Sequence, residues 1–253
     1  LVGPAQVASE AALEEVWQRA AVRAVSGTAQ FVADSPAHQD PALAEEQPTE
    51  LAEYLVASID AARFEVTLVT AYLVPTEELA AVIRRCLDRG VRVRILTNSM
   101  RSNNHLAAHA AYSRYVHALV ASGVELYELR SDAADRNLYM ESPVNDKSLG
   151  LHAKFMLLDE DRVFIGSSNL DPRSLKLNTE VGLMVHSKEL NHMLRDSIRV
   201  DFLPRNAWSV QLDEEGQLVW VGEGERRSHP PADSPFQQLE DWFIGLLPID
   251  SQM

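Results

Sequence analysis

Apolar and polar positions recur with two different periods along this 253-residue chain, and the places where the period changes divide it into elements. Residues 6–24 (QVASEAALEEVWQRAAVRA) put Ala12, Leu13, Val16, Trp17 and Ala20 on one helical stripe. Residues 28–49 lose the period, hold Pro36, Pro41 and Pro48, and read as loop. Helical spacing returns over 50–62, with Leu51, Leu55, Val56 and Ile59 apolar, and residues 64–70 (FEVTLVT) form a β-branched, strand-like run. Thr76 predicts an N-cap with Glu77 and Glu78 in the first turn, and Gly90 marks that helix's end. Residues 91–97 predict a strand, the stretch from about 104 to Gly123 a helix, and 124–129 a third strand. A polar loop over 130–150 leads to an apolar run at 151–158, closed by the turn Asp159-Glu160-Asp161-Arg162. Short strands follow at 163–166 and 178–186, then a helix over 188–202 and a hairpin from 208–212 and 218–221 around Asp213-Glu-Glu-Gly216. The last apolar segment, 235–249, is too short to span a bilayer; it packs on the core or lies at an interface, with packing favoured.

Strand–helix alternation over 63–129 predicts an α/β fold: a mixed, mainly parallel sheet with helices on both faces. Its strands are expected at 63–71, 91–97, 124–129, 151–158, 163–166 and 178–186. Functional groups in such units collect at the strands' carboxyl ends, which puts the loop after Thr97, with Arg101, near any site.

Composition narrows this further. The chain is 46% hydrophobic and 24% charged, enough to bury a core. A formal net charge of -14 argues against a generally cationic surface for nucleic acid or anionic membrane, while leaving room for a local basic site. Cys86 is the single cysteine, so no intramolecular disulfide forms; a reduced, buried thiol and a cytosol-facing location are expected. No run of 18 apolar residues occurs, so no transmembrane helix is predicted. The chain opens on Leu-Val-Gly-Pro rather than Met, as a piece of something longer would.

Chemistry concentrates at 151–180. On a strand, His152 and Lys154 point to one face, roughly 7 Å apart. Gly166-Ser167-Ser168-Asn169 is a turn rich in hydroxyls, an amide and backbone N–H groups, able to hold an anion. Nucleophile, cation and donor turn together suit phosphoryl transfer. His105 and His109 stand four apart, a chelating spacing, but no third ligand follows in a familiar pattern, so no metal site is expected.

The spacing His152-x-Lys154-x(4)-Asp159-x(6)-Gly166-Ser167-x-Asn169 resembles the signature of the phospholipase D superfamily. Asn169-Leu-Asp171-Pro-Arg173-Ser174, then Asn178-x-Glu180, is similar to the branch that contains bacterial cardiolipin synthases. So are Thr70–Pro75, His109-Ala-Ala-Tyr112-Ser-Arg114-Tyr115 and Gly123-Val-Glu-Leu-Tyr-Glu, although Ala71 stands where that branch usually has Pro. The resemblance is close over roughly 28–203 and loose elsewhere.

It implies that His152 attacks phosphorus to give a phosphohistidine, that Lys154 neutralises the phosphate oxygens, and that Ser167, Ser168, Asn169 and Arg101 contact the phosphate or substrate. Glu180 would hold the second ring nitrogen of His152. Asp159 and Gly166 would be structural, and no metal or other cofactor is needed. It implies a phospholipid substrate such as phosphatidylglycerol, transfer or hydrolysis of a phosphatidyl group, and peripheral contact with the inner face of the cell membrane; nucleic acid is not the expected partner. It also implies a second His-Lys pair. No second His-x-Lys-x(4)-Asp occurs, and His105, His109, His117, His186 and His192 are not expected to supply one. The partner is then a missing N-terminal lobe or a second copy of the chain, and residues 1–27 are either the tail of that lobe or an ordinary N-terminal helix packed on this domain. Residues 28–204 form the catalytic lobe and 205–253 a C-terminal hairpin and apolar helix. Two alternatives stay open: a phosphodiesterase or nuclease acting as a homodimer, and a lobe kept for binding or assembly.

Overall fold

β2 (Glu65–Thr70) and β3 (Arg92–Asn98) are the centre of a ten-stranded sheet in a computed structural model that describes residues 9–22, 24–35, 49–103, 106–141, 143–144 and 147–231. The expectations for residues 1–8, for the prolines at 36, 41 and 48, for Asn104 and His105 and for the 235–249 segment lie outside these residues. β2 is buried from Val66 to Thr70, which explains its continuous apolar and β-branched sequence. The other strands are β1 (Thr28–Ala33), β4 (Glu125–Leu129), β5 (Lys154–Leu158), β6 (Arg162–Gly166), β7 (Val181–His186), β8 (Ala207–Leu212), β9 (Leu218–Gly222) and β10 (Glu225–Arg227). Their order is β1-β7-β6-β5-β2-β3-β4-β8-β9-β10.

The mixed α/β class holds, but its balance differs from expectation. Only β2–β3 and β3–β4 pair in parallel; every other neighbouring pair is antiparallel. Parallel neighbours need a crossover, and the helices Glu77–Asp88 and Leu106–Ala121 supply the two that link β2 to β3 and β3 to β4; β5–β6, β8–β9 and β9–β10 are instead joined by short turns that reverse the chain. Residues 28–33, read as loop, form edge strand β1, because Thr28–Ala33 pairs with His186–Val181 and little in its own alternation advertised it. The 207–222 hairpin continues the same sheet beyond β4.

Helices cover both faces. α1 is Glu10–Val22, α2 Glu50–Asp60, α3 Glu77–Asp88, α4 Leu106–Ala121, α5 Pro172–Lys176 and α6 Lys188–Ile198. Thr49 and Thr76 cap α2 and α3, accepting from Ala52 N and Leu79 N. Gly90, with φ 78°, ends α3 in the left-handed conformation that favours glycine. Leu51, Leu55 and Ile59 of α2 and Leu79, Val82, Ile83 and Cys86 of α3 bury one stripe each against Val66, Leu68, Ile95 and Leu126. At about 1.5–3 kcal/mol per fully buried aliphatic side chain, these stripes anchor the face. On the opposite face α6 and the turn at Arg199–Phe202 cover Val69, Leu96, Leu157 and Val163. α1 differs: Leu13, Val16 and Trp17 of its predicted stripe are exposed.

Candidate active site

β5 carries the chemistry at its start and the scaffold at its end. Register pairs Lys154 with Thr70 and Leu158 with Val66. His152 lies just before the strand rather than on it, because β2 stops at Thr70 and offers 151–153 no further ladder. Asn98, at the end of β3 and 3% exposed, takes the ladder's place. Its Oδ1 accepts from Leu151 N at 2.8 Å, and its Nδ2 donates to Leu151 O at 2.9 Å and to Ala71 O at 3.0 Å. The side-chain amide acts as a peptide group and fixes the residue preceding His152. The loop after Thr97 was expected near the site for Arg101; the residue it contributes at His152's threshold is Asn98.

Lys154 Nζ donates to the His152 carbonyl at 3.1 Å and lies 3.5 Å from His152 Nε2, so ammonium and imidazole share one side. His152 is exposed and Lys154 half-buried. Burial is the main influence on Lys154 and pushes its ammonium below the usual lysine range; the charges of Glu180 and Asp171 work the other way.

The turn after β6 supplies these two carboxylates. Gly166 faces Gly182 across the ladder, and a Cβ on Gly166 would lie 2.7 Å from Val181 O and 2.8 Å from the Phe164 ring. That close approach sets Ser167 beside Glu180. Ser167 Oγ donates to Glu180 Oε2 and accepts from Val181 N at 3.0 Å, while Asn178 Nδ2 donates to Glu180 Oε1 at 3.0 Å. The bonds of the Glu180 carboxylate here are to Ser167 and Asn178, within its own turn, and not to His152. Its backbone is held by Asp34, whose Oδ2 accepts from Glu180 N at 2.9 Å and whose Oδ1 accepts from Leu51 N at 2.7 Å.

Ser168, expected at the substrate, is buried and donates to Asn169 O at 2.9 Å. Asn169 Oδ1 is buried with no hydrogen-bond partner, a cost that a native structure seldom carries without use. Leu170 N donates to Thr70 Oγ1 at 3.2 Å, which ties this turn to the end of β2. Asp171 caps α5 by accepting from Ser174 N at 2.8 Å, and its burial pushes its carboxyl above the usual range.

Asp159 stands at the other end of β5. Its carboxylate accepts from Arg63 N, Phe64 N and Glu65 N at 3.0, 2.8 and 3.3 Å and from Arg162 Nη2 at 3.0 Å. Burial would raise its pKa, but these donors hold it below the usual carboxylate range. Arg101 is exposed in the turn after β3, where its charge adds to that of Arg130 at Asp132. The sequence does hold a second His-x-Lys spacing, His186-Ser187-Lys188, contrary to the expectation that no other histidine brings a lysine two residues on. It lacks the aspartate, and His186 pairs with Arg162, at the Asp159 end of the sheet. Among the described residues no three His, Cys, Asp or Glu groups form a metal-holding cluster, and His105 lies outside them. Asn98, Thr70 and Asp34 were missed because their roles depend on partners 53, 100 and 146 residues away.

Residues 55–201 match the family model described as cardiolipin synthase, PLD-like domain. The chain is 33% identical over 190 residues to cardiolipin synthase C of Escherichia coli (strain K12), covering 73% of this chain and 40% of that protein. Cardiolipin synthase B of Salmonella typhi is 30% identical over 175 residues, covering 65% of this chain and 38% of that protein. The chain therefore spans about two fifths of the length of these curated relatives. Among solved structures, NucT from Helicobacter pylori aligns at 17% identity with a TM-score of 0.48, covering 69% of this chain and 94% of that one.

Proposed function

The chain belongs to the cardiolipin synthase, PLD-like domain family, and from that premise we propose that it transfers a phosphatidyl group from a phospholipid to an alcohol through a phosphohistidine at His152. The observation that carries this reading is the ammonium of Lys154 3.5 Å from His152 Nε2, with His152 itself exposed. The neutral imidazole attacks phosphorus; a P–N bond forms, the P–O bond to the leaving alcohol breaks, and that oxygen takes a proton from a general acid. The acceptor hydroxyl then attacks phosphorus and gives its proton to the group that served as the acid, the P–N bond breaks, and both His152 and the acid are regenerated. Two displacements replace one at a repelling, negatively charged centre. Lys154 neutralises the phosphate oxygens through a short, charge-assisted contact. Asn169 donates an Nδ2–H to a phosphate oxygen. Glu180 and Asp171 keep Lys154 charged against its burial.

The acid is the histidine of a second His-Lys pair, supplied by another lobe or a second copy of this chain. With phosphatidylglycerol as donor and acceptor the product is cardiolipin; with water as acceptor the activity is that of a phospholipase D. A substrate held in a bilayer calls for peripheral contact with a membrane, which this reading assigns to the inner face of the cell membrane; no helix among the described residues is long and apolar enough to cross it.

The test is phosphorus-labelled phosphatidylglycerol in vesicles, quenched in alkali, where phosphohistidine survives. Wild type with a separately expressed N-terminal lobe is expected to carry label that His152→Ala lacks and to form cardiolipin, and the chain alone to be nearly inactive; full activity from a monomer of this chain alone would overturn the two-lobe reading. Unchanged lipid together with DNA cleavage dependent on His152 would replace this reading with that of a homodimeric nuclease.

A further inference from the structure

A cavity of about 270 Å³ opens on the side of β5 away from Lys154, and His152 is part of its wall. Alternation along the chain explains the placement: Leu151, Ala153 and Phe155 point opposite to Lys154 and line the cavity, while His152, just before the strand, stands at the rim between the two sides. Val69, Leu96 and Leu129, each buried, form its floor, and Ile198 of α6 forms one wall. α6 stops short of covering the start of β5, so the apolar face filled further along by Leu157 and Val163 is left open here. Polar groups at the edge pair with one another: Tyr139 Oη donates to Asp201 Oδ1 at 2.8 Å. Outside, the loop from β4 to His152 exposes Leu138, Tyr139 and Val144.

Resting on the phosphatidyl-transfer reading above, we infer that this cavity holds an acyl chain of the phospholipid whose phosphate lies between His152 and Lys154. The argument is one of continuity and chemistry. In a glycerophospholipid the acyl ester is a few bonds from the phosphate, and here an apolar hole begins at the side chain that faces the phosphate. An apolar cavity of ~150 Å³ already holds a benzene ring, so this one accommodates a chain segment of several methylenes. Burying each methylene is worth about a fourfold gain in affinity. A nucleic acid or other water-soluble phosphodiester has no apolar branch to place there. The exposed Leu138, Tyr139 and Val144 offer apolar surface outside the cavity, and the polar edge groups Tyr139 and Asp201 are already paired with each other.

Ser197 provides the test. It lines the cavity from the exposed side of α6 and takes no part in the catalytic cluster, so Ser197→Trp plugs the cavity at a position where substitutions seldom disturb folding. Phosphatidylglycerols with two four-, six- or eight-carbon chains, kept below micelle formation, are titrated calorimetrically into wild type, Ser197→Trp and Lys154→Ala, with glycerophosphoglycerol as the chain-free probe. Wild-type affinity is expected to rise about tenfold or more from four to eight carbons, and Ser197→Trp to abolish that rise while binding glycerophosphoglycerol as wild type does. Lys154→Ala is expected to weaken every ligand equally and keep the chain-length slope. A flat slope in wild type, or a slope unchanged in folded Ser197→Trp, overturns the acyl site. Headgroup binding indifferent to Lys154 overturns the phosphate reading instead, whatever the slope. Leu149→Ser, which makes the opposite wall polar, repeats the test should Ser197→Trp alter the melt; a retained slope there has the same adverse meaning.

Discussion

At the far end of β5 the Asp159 carboxylate accepts three backbone N–H groups and an Arg162 guanidinium, and Arg195 bridges the Asp159 carbonyl and the Glu65 carboxylate. At the near end, one five-residue strand away, Lys154 is pushed down by burial, Asn169 Oδ1 has no partner, and His152 faces solvent. The same strand therefore satisfies its charges where it meets α6 and leaves them under-satisfied where it meets the Gly166 turn. Groups that fully satisfy one another stabilise a fold; groups held near an opening with spare capacity gain from a ligand. Motif spacing alone treats His152, Lys154 and Asp159 as one set, whereas their surroundings divide them into reacting and supporting groups.

The sharpest way to break this division is His152→Ala. It is expected to lower labelled-lipid turnover by on the order of 10⁴-fold or more, with a thermal melt that matches wild type because the ring is exposed. A large loss of Tm in that variant would erase the distinction between the two ends. Asp159→Ala should do the reverse. Its three backbone donors would lose their acceptor at about 1–3 kcal/mol for each one left buried, and the melt should fall by several degrees while turnover per folded molecule persists. The φ of 52° at Asp159 adds a control: Asp159→Gly relieves the backbone yet loses the carboxylate, so it should recover only part of the stability.

The pH response follows from the same carboxylate. Its folded pKa is depressed, so its contribution is present above the ordinary value of 3.8 and is lost as pH falls through the lower folded value. Urea melts of wild type and Asp159→Asn should differ most near neutrality and converge below about pH 3.8; a constant gap would show that shape rather than charge matters there.

Asn98→Ala tests whether the near end is held as firmly as its chemistry requires. Releasing Leu151 should cost about 10–100-fold in turnover through misplacement of His152, with a fall in kcat larger than any rise in KM. Asn98→Asp, which keeps the acceptor for Leu151 N but sets a buried carboxylate oxygen against the Leu151 and Ala71 carbonyls, should do no better than Asn98→Ala. A pure stability loss with unchanged kcat would demote Asn98 to scaffold. The smallest effect on stability belongs to Lys154→Met, which removes a partly buried charge. Because the folded pKa of Lys154 is lowered, its charged form opposes folding at low and neutral pH, and that penalty disappears as pH rises from the folded pKa towards the ordinary 10.5. Lys154→Met should melt at or slightly above wild type at pH 7, with the gap closing in alkali, although its turnover is gone. A marked drop in Tm would place Lys154 with the supporting groups.

What the sequence determined by itself is local. The His152-x-Lys154 spacing, the Gly166-Ser167-x-Asn169 turn, the Thr76 cap, the Gly90 stop and the hairpin around Gly216 each follow from neighbours a few residues apart. Backbone periodicity and turn chemistry act at that range, so side-chain direction can be read from spacing. The tertiary structure decided the rest. It made an edge strand of 28–33, which pairs with residues more than 140 positions away, and it made most of the sheet antiparallel. It gave Glu180 to Ser167 and Asn178 rather than to His152, because the ladder sets Gly166 against Gly182. It used Asn98 as a stand-in peptide group where β2 runs out. An acceptor's partner is chosen by whichever donor the packed fold brings within about 3 Å, and no spacing along the chain encodes which donor that will be.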